Sequence, residues 1–397
     1  MITVTKKPPV VALCDNVMFF EFTTNLPQET EGVYLLIQPW YSSNNEVLGT
    51  DILFPVVPGS AVTDLHEFLR NGLFAIKQFV FPEQGNAPWN LRPGLIREYK
   101  LKIQEIYTSA GQEMVTTSWL EQRFVLRGKI PDWRKQAFYA QYGSFLEWIN
   151  STHSFLTFSP KTLVTAKEQV QKLGLLVYWS TQAGERLNLK IEVVFTDSTT
   201  ANFISSQQSA VITRYAVVEF AVGYSVLNLG DWSVANHPGK TIAQYSVTAM
   251  SGSTAVSETR TYLLDCRSHI GNHQFIFANS AGYYDTFLAT GETELNSKFE
   301  YDVVKDMSLN LSAYPQKFQF QVTSDHIHTC RSGFFDAGMA EYLSEFFESF
   351  ERYEIIGSSL VPVVLFNTKI LRKRDNENLF SVEFEYMHAV NQKIEAE

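Results

Sequence analysis

The chain has 397 residues, 45% of them hydrophobic and 14% aromatic, and its formal net charge at pH 7 is -10. This length exceeds what a single hydrophobic core usually supports, so we expect two or three domains. The acidic balance argues against nucleic acid as a partner, because nucleic-acid-binding proteins neutralise phosphates with clustered Lys and Arg. The one dense basic run, Lys369 to Arg374, is followed at once by acidic residues and is typical of a solvated turn.

The sequence shows neither a targeting signal nor a cysteine pattern that indicates disulfides. The lysines near the start precede no long apolar segment, and no run reaches the roughly 18 apolar residues of a membrane-spanning helix. We therefore expect no secretory signal and no membrane insertion. The three cysteines, Cys14, Cys266 and Cys330, are far apart and odd in number, which does not indicate a disulfide framework. These features favour a protein that is made and assembled in a reducing cytoplasm.

Residues 1–130 alternate short β-type runs with turn residues. The apolar residues Tyr99, Leu101 and Ile103 recur at every second position, which is the period of a strand with one buried face. The sequence therefore predicts an antiparallel β domain over residues 1–130. Its predicted strands are Val17 to Phe22, Val33 to Pro39, Glu98 to Ile106 and Gln122 to Leu126.

The hydrophobic period changes after Pro131, where a helical connector is predicted over residues 131–152. Pro131 and Asp132 are start signals for a single helix that reaches Asn150. Four apolar residues spaced by four, three and four lie on one face of this helix, namely Phe138, Tyr142, Phe145 and Ile149. The helix is expected to pack on a sheet or to join two domains. Trp133 and Trp148 leave a partner-binding helix as the alternative.

Residues 153–265 return to short strands that are separated by turn clusters. This rhythm over about 110 residues is typical of an immunoglobulin-like or fibronectin-like β-sandwich. The predicted strands are Leu187 to Phe195, Val211 to Tyr224, Ile242 to Met250 and Glu258 to Leu264, and the turn clusters between them include Asn228 to Asp231.

Residues 266–397 contain apolar residues at both strand and helix spacings, which predicts an α+β domain. A helix is predicted from Ala337 to Arg352, with an apolar stripe of Leu343, Phe346, Phe347 and Phe350 opposite a solvated face of Glu341, Glu345, Glu348 and Glu351. The predicted strands are Gln274 to Ala278, Thr286 to Ala289, Lys298 to Val303 and Lys317 to Val322, followed by a closing hairpin of Val361 to Leu371 and Leu379 to Met387. The fold class predicted for the whole chain is mainly β with an α+β C-terminal part, built from antiparallel β-sandwich modules joined by short helices.

Sequence templates for catalysis do not fit. A nucleophile elbow needs Gly-x-Ser-x-Gly, and the nearest match, Gly223 to Leu227, lacks the second glycine. Glycine-rich loops for dinucleotides or phosphates are also missing from the sequence. We therefore expect a protein that is not an enzyme, and we assign neither catalytic residues nor a cofactor.

Histidine and cysteine form two groups with the spacing of metal ligands. These are Cys266, His269 and His273, and then His326, His328 and Cys330. On a strand the second group would direct its three side chains to one face, an arrangement that zinc sites can use. The same alternation is ordinary for a strand within a sheet. The sequence therefore leaves zinc binding open as a hypothesis and assigns no metal.

Two segments have a distinctive residue order: Phe155 to Pro160 reads FLTFSP, and Phe275 to Phe287 reads FIFANSAGYYDTF. The second is interrupted by turn-forming residues and predicts strand, tight turn and strand, with Tyr283 and Tyr284 either buried in the hairpin or forming a contact surface.

Both segments resemble parts of structural proteins from phages and prophages of Bacteroidetes bacteria. The first resembles a section that reads FLTWQP in that family, so that Phe158 and Ser159 depart from it. The second resembles F-x-N-S-x-G-x-x-D/E-T-F, matched by Asn279, Ser280, Gly282, Asp285 and Thr286. Ile356 to Leu371 and Phe380 to Tyr386 resemble the family's closing hairpin. The likeness covers residues 130–397.

The resemblance implies a virion structural protein made of β modules and carries over no catalytic residues. We expect a tail, baseplate or neck subunit that is located in the virion and contacts other virion proteins and copies of itself. The aromatic surplus agrees with assembly, because interfaces favour Tyr, Phe and Trp. The alternatives are a carbohydrate-binding adhesion module of the tail and a glycan-degrading tail enzyme.

Overall fold

The computed structural model describes residues 2–26, 30–55, 59–74, 89–92, 94–205, 208–265, 267, 272–305, 317–366 and 379–389. The basic run Lys369 to Arg374 lies outside these residues. The chain is mostly β, which confirms the predicted fold class. It divides into two compact units, the first made of residues 1–265 and 279–285 and the second of residues 266–278 and 286–397. The further division of the first unit into separate domains stays a prediction.

The elements follow one another in this order: β1 (Ile2–Lys6), β2 (Val11–Leu13), β3 (Phe19–Thr24), β4 (Glu31–Tyr41), β5 (Glu46–Val47), β6 (Asp51–Leu53), β7 (Gly59–Asp64), α1 (His66–Phe74), β8 (Trp89–Leu91), β9 (Ile96–Ser109), β10 (Gln112–Leu126), α2 (Asp132–Tyr142), α3 (Phe145–Thr152), β11 (Thr162–Thr165), β12 (Lys172–Leu176), β13 (Leu187–Phe195), β14 (Thr200–Ile204), β15 (Val217–Ala221), α4 (Leu229–Asn236), β16 (Ile242–Ser251), β17 (Thr254–Ala255), β18 (Arg260–Leu264), β19 (His273–Ala278), β20 (Tyr284–Ala289), β21 (Thr293–Lys305), β22 (Lys317–Arg331), α5 (Ala337–Glu348), β23 (Arg352–Ile356), β24 (Ser359–Phe366) and β25 (Glu383–His388).

The N-terminal part of the first unit contains two sheets. One has the order β1-β3-β7, and the other has the order β2-β10-β9-β4-β5 with β6 on β4. The predicted alternation in β9 is confirmed, because Tyr99, Leu101 and Ile103 are buried in a core with Phe20 and Leu35. Strand β10 pairs with β9 along almost its whole length and begins at Gln112, ten residues before its predicted start.

The predicted single helix after Pro131 is wrong, because the structure has two helices, α2 and α3. Gly143 takes a φ of +72°, a left-handed conformation that ends α2. Ser144 then caps α3 by accepting the backbone N–H of Glu147 at 3.1 Å. The helices pack in one apolar cluster with strands of the first unit, through Phe138 and Phe145. They are part of its core.

The later part of the first unit also has two sheets with a core that includes Leu189, Ile191 and Tyr245. Their orders are β11-β18-β16-β13-β14, with β17 on β16, and β12-β15-β8. Most pairs are antiparallel, but β11 and β18 are parallel. The predicted strand Val211 to Tyr224 is shorter than expected, since β15 covers only Val217–Ala221. The predicted turn at Asn228 to Asp231 is wrong, because Leu229 to Asp231 form the first turn of helix α4.

The described residues of the second unit form a seven-stranded sheet of order β20-β19-β23-β24-β25-β22-β21. Helix α5 packs its buried Leu343 and Phe346 against Phe275, Phe287 and Phe384 of the sheet. The predicted strand–turn–strand at Phe275 to Phe287 is confirmed by β19 and β20. The predicted closing hairpin is confirmed by the antiparallel pairing of β24 with β25.

The predicted helix end at Arg352 is wrong, because α5 ends at Glu348 and Arg352 begins β23. The Arg352 guanidinium donates to the backbone oxygens of Phe346 and Phe347, both at 2.5 Å, and so satisfies carbonyls at the end of the helix. The predicted solvated acidic face is also partly wrong, since Glu345 and Glu351 are only 4% and 5% exposed.

Candidate functional site

The six-stranded sheet of the first unit has a second face, directed away from its core. Strand pairing places Gln38, Lys102 and Trp119 in one row across β4, β9 and β10, and Gln104 and Thr117 in the next row. We call this surface the outer face. It is formed by Tyr34, Leu36, Gln38, Trp40, Ile52, Phe54, Lys100, Lys102, Gln104, Val115, Thr117 and Trp119.

The outer face exposes large apolar side chains. Phe54 is 78% exposed, Trp119 54%, Ile52 50% and Val115 49%. Ile52 and Phe54 lie on β6 or directly after it, and Val115 and Trp119 lie on β10, so the apolar area is not a single projecting side chain. Exposed apolar side chains grouped on one face mark interaction sites more often than isolated exposed residues do.

Two tryptophans lie together at one side of the outer face. The rings of Trp40 and Trp119 meet edge to face, with centroids 5.7 Å apart at an angle of 70°. The Lys102 ammonium is 5.9 Å from the centroid of the Trp40 ring, a cation–π distance. Gln104 donates to the Thr117 hydroxyl at 3.4 Å. The surface therefore combines aromatic rings with amide, hydroxyl and ammonium groups.

Part of the two predicted metal-ligand groups comes together among the described residues, because the ring centroids of His273 and His328 lie 6.5 Å apart. Cys266 and His269 lie outside the described residues. His326, His328 and Cys330 share one face of β22 as expected, but their surroundings differ: His326 is exposed beside Ser297, and Cys330 is fully buried. Across the part of the chain that the structure describes, no three His, Cys, Asp or Glu side chains are placed to hold a metal ion.

His273 belongs instead to a polar cluster that the sequence did not predict. The carboxylate of Glu354, only 4% exposed, accepts hydrogen bonds from His273 Nδ1 at 2.5 Å, His388 Nε2 at 2.7 Å and the Tyr386 hydroxyl at 3.0 Å. The His328 ring stacks on the Tyr386 ring with centroids 4.8 Å apart. The cluster joins four strands, β19, β22, β23 and β25, and lies at the end of the phenylalanine core.

Burial and neighbouring charges shift the pKa values in this cluster. Burial by itself would raise the pKa of Glu354, but the hydrogen bonds from His273 and His388 together hold it below its ordinary value. Burial lowers the pKa of His328, and the nearby His388 lowers it further. Burial and the Glu354 carboxylate raise the pKa of Tyr386. The cluster is therefore arranged for an ionised glutamate and a neutral His328.

The two segments that carry the family resemblance meet in a buried network of the first unit. The Asn279 amide donates to the backbone oxygen of Leu156 and to the Asp285 carboxylate, both at 2.8 Å. Thr157 donates to the same carboxylate at 2.7 Å. Gly282 has a φ of +86°, and a Cβ at this position would lie 2.8 Å from the Leu126 side chain. These residues fix a turn.

Tyr283, one of the two tyrosines considered for a contact surface, is buried. Its hydroxyl donates to Glu219 at 2.7 Å, and Glu219 also pairs with Arg92 at 2.8 Å and Lys172 at 3.4 Å. Burial lowers the pKa of Lys172 to about 8. Of the two tryptophans considered for a partner-binding helix, Trp148 is buried and Trp133 is 39% exposed. The outer face and Trp133 therefore present exposed aromatic area, which Tyr283 and Trp148 do not.

No family model matches the chain, and no curated protein matches it significantly. Within the described residues, none of the helices has both the length and the apolar composition needed to cross a membrane.

Proposed function

We propose that the chain is a non-catalytic structural subunit of a tailed-phage virion, in the tail, baseplate or neck, that assembles through protein–protein contacts. The exposed apolar outer face of the first unit is the observation that carries the assembly role. The assignment to a virion is supported by the resemblance at Phe155 to Pro160 and Phe275 to Phe287. The partners are other virion proteins and copies of the chain itself.

The area of the outer face sets the strength expected of a contact. Fully burying a large apolar side chain is worth roughly 1.5–3 kcal/mol, so Phe54, Trp119, Ile52 and Val115, which are 49% to 78% exposed, still offer about 3–7 kcal/mol together. Association costs about 4–15 kcal/mol in lost translational and rotational freedom. One such contact is therefore weak, and a stable assembly needs several contacts at once. A virion meets this condition because each subunit has several neighbours.

Immunogold microscopy of purified particles, with mass spectrometry for copy number, tests the proposal. We expect label at the tail, its tip or the neck, in several copies per particle. Particles without label, with the protein found free in the cell, would overturn the virion assignment.

A matched pair of variants tests the outer face itself. Phe54 and Phe334 are almost equally exposed, at 78% and 79%, but only Phe54 lies on the outer face. We expect Phe54→Ser combined with Trp119→Ser to lower incorporation into particles at least about tenfold, which corresponds to about 1.4 kcal/mol. Phe334→Ser is expected to leave incorporation unchanged. Equal incorporation of both variants would remove the outer face from the proposal.

The tryptophan pair supports a second candidate, carbohydrate binding. Exposed Trp119 could stack on a sugar ring while Lys102 and Gln104 hydrogen-bond its hydroxyls. A glycan array probed with the purified chain separates this role from assembly. Saturable binding that Trp119→Ala abolishes would support carbohydrate binding, whereas an array without signal leaves the assembly role as the proposal.

A further inference from the structure

A cleft of about 500 Å³ opens in the first unit between the chain segment that contains β2 and the helices α2 and α3. We call it the lysine cleft. It is lined by Lys6, Lys7, Pro8, Pro9, Ala12, Leu13, Asn16, Val17, Met18, Phe19, Lys135, Tyr139, Gly143, Ser144 and Phe145. This volume lies in the range of about 300–1,000 Å³ that is usual for ligand sites.

The floor of the lysine cleft is apolar. Leu13, Met18 and Phe145 are at most 2% exposed, so they form a packed base, while Val17 and Phe19 on its edge are 46% and 58% exposed. Burying further apolar area against these two residues would be favourable by roughly 25 cal/mol for each Å² removed from water. A bulky apolar side chain therefore fits the chemistry of the floor.

The rim of the lysine cleft is positively charged. Three lysines line it, and the residues that the structure describes contribute no Asp or Glu to its lining. The Lys6 ammonium is paired with Glu21 at 2.6 Å, and Lys7 is exposed. Ser144 and Phe145 also place the first turn of α3 at the cleft, where backbone N–H groups favour a negative group. This charge contrasts with the net charge of -10 of the whole chain.

One wall of the lysine cleft is held in place. Pro8 and Pro9 have a restricted backbone, and the Pro8 carbonyl oxygen accepts a hydrogen bond from the Arg123 guanidinium. Arg123 is 2% exposed and lies on β10, so this wall is tied to the sheet. A wall that does not need ordering lowers the entropic cost of binding.

From this geometry we infer that the lysine cleft binds an acidic peptide segment of a partner subunit, with carboxylates at Lys7 and Lys135 and one large apolar side chain on the floor. The inference rests on the proposed assembly role, which supplies a partner protein. A polyanion or a membrane surface fits less well, since the three lysines lie around a narrow apolar cleft on a chain of opposite net charge.

Fluorescence anisotropy with the full-length chain tests the inference. The probe is a fluorescein-labelled peptide of sequence Asp-Glu-Phe-Asp-Leu-Glu, blocked at both ends. We expect saturable binding that weakens with added salt, because the lysines are solvent-accessible. A peptide with Asn and Gln in place of the acids, and one with Ser in place of Phe and Leu, should each bind at least about tenfold more weakly, or about 1.4 kcal/mol.

Variants locate the binding site. Lys7→Glu combined with Lys135→Glu, and separately Phe19→Ser, should each weaken binding at least about tenfold. The matched controls are Lys298→Glu and Phe334→Ser, which replace exposed residues of the second unit and should leave binding unchanged. Circular dichroism of each variant checks that the fold is retained.

Three results would overturn the inference. The first is that the acidic peptide shows no saturable binding up to about 1 mM, the weak end of specific affinity. The second is that the charge-reversed variant binds the peptide as tightly as the unchanged chain does. The third is that the peptide without Phe and Leu binds as tightly as the original peptide, which indicates a simple anion site. If the peptide does not bind but the Phe54 and Trp119 variant still loses incorporation, the assembly proposal stands without this cleft. If the Phe54 and Trp119 variant is incorporated normally but the peptide binds, the lysine cleft is supported as a binding site and the outer face is not.

Discussion

Aromatic side chains have opposite environments on two sheet faces, the face of the second unit that α5 covers and the outer face of the first unit. In the second unit, helix α5 covers the sheet, and Phe275, Phe287 and Phe346 pack with ring centroids 5.4 to 6.1 Å apart. On the outer face of the first unit, Phe54 and Trp119 remain more than half exposed. The alternating pattern of a strand is the same in both. A high aromatic content therefore supports either a core or an interaction surface, and the covering element decides which.

The largest effect is expected from truncating the covered aromatic cluster. Phe346→Ala removes a side chain that contacts Phe275, Phe277, Phe287 and Phe384, so the free energy of unfolding should fall by about 3–5 kcal/mol. Urea unfolding measures this loss in the free energy of unfolding. Phe350→Ala is the control, because Phe350 is 48% exposed and should change stability far less. Equal losses would mean that α5 does not cover the sheet as described.

A second large effect is expected at the buried charges of the first unit. Glu219→Ala leaves Arg92 and Lys172 without the carboxylate that both contact, so unfolding should become easier by about 3–5 kcal/mol. Glu192→Ala is the control, since Glu192 forms an exposed pair with Lys190 and should cost less than about 1 kcal/mol. Similar urea midpoints for the two variants would contradict the structural role of the buried cluster.

The histidine–glutamate cluster predicts acid sensitivity of the second unit. In the folded state the pKa of His328 is below its ordinary value of 6.5, so the folded state takes up fewer protons near pH 6.5 than the unfolded state does. The free energy of unfolding therefore falls as the pH drops through 6.5. Glu354 has a folded pKa below 4.5, so a further loss follows under more acidic conditions. Thermal unfolding between pH 8 and pH 3 measures both steps.

Two substitutions sharpen this pH dependence. His328→Asn should flatten the loss of stability near pH 6, because the half-buried imidazole no longer has to gain a proton. His326→Asn is the control on the same face of β22, where the side chain is exposed beside Ser297. A pH profile of the His328 variant that matches the wild type would show that other groups cause the acid loss.

Much of the local structure could be predicted from the sequence. The alternation in β9, the apolar stripe of α5 at Leu343 and Phe346, and the β24–β25 hairpin were all indicated by spacing. The break between α2 and α3 also had a local signal, since Gly143 is followed by Ser144-x-x-Glu147, the pattern of a helix cap. The hydrophobic stripe continued across the break, and the period alone therefore suggested one helix.

The same cap gives a smaller predicted effect. Ser144→Ala removes the acceptor for the Glu147 N–H and should lower the free energy of unfolding by about 1 kcal/mol. Ser151→Ala is the control within the same helix, where the hydroxyl bonds only to helix carbonyls and no cap is lost. Equal urea midpoints for the two variants would show that the cap contributes nothing.

The smallest effect on stability, and the sharpest contrast with Phe346, is expected on the outer face. Phe54→Ala should change the free energy of unfolding by no more than about 0.5 kcal/mol, because the ring is 78% exposed and fills no cavity. A loss comparable with that of Phe346→Ala would mean that the outer face is part of a core. The Phe54→Ala substitution is instead expected to weaken assembly, in which a partner protein covers the outer face.

The sequence by itself determined the spacing of apolar residues in each segment, because a strand or helix repeats its buried positions within a few residues. It determined the mainly β class, the hairpins and most of the apolar stripes. Only the tertiary structure decided which strands became neighbours. His273, His328, Glu354 and His388 meet because four strands from distant parts of the chain are adjacent in one sheet, and no local spacing encodes that order. The outer face and the lysine cleft are exposed for the same reason: what covers a surface depends on long-range packing.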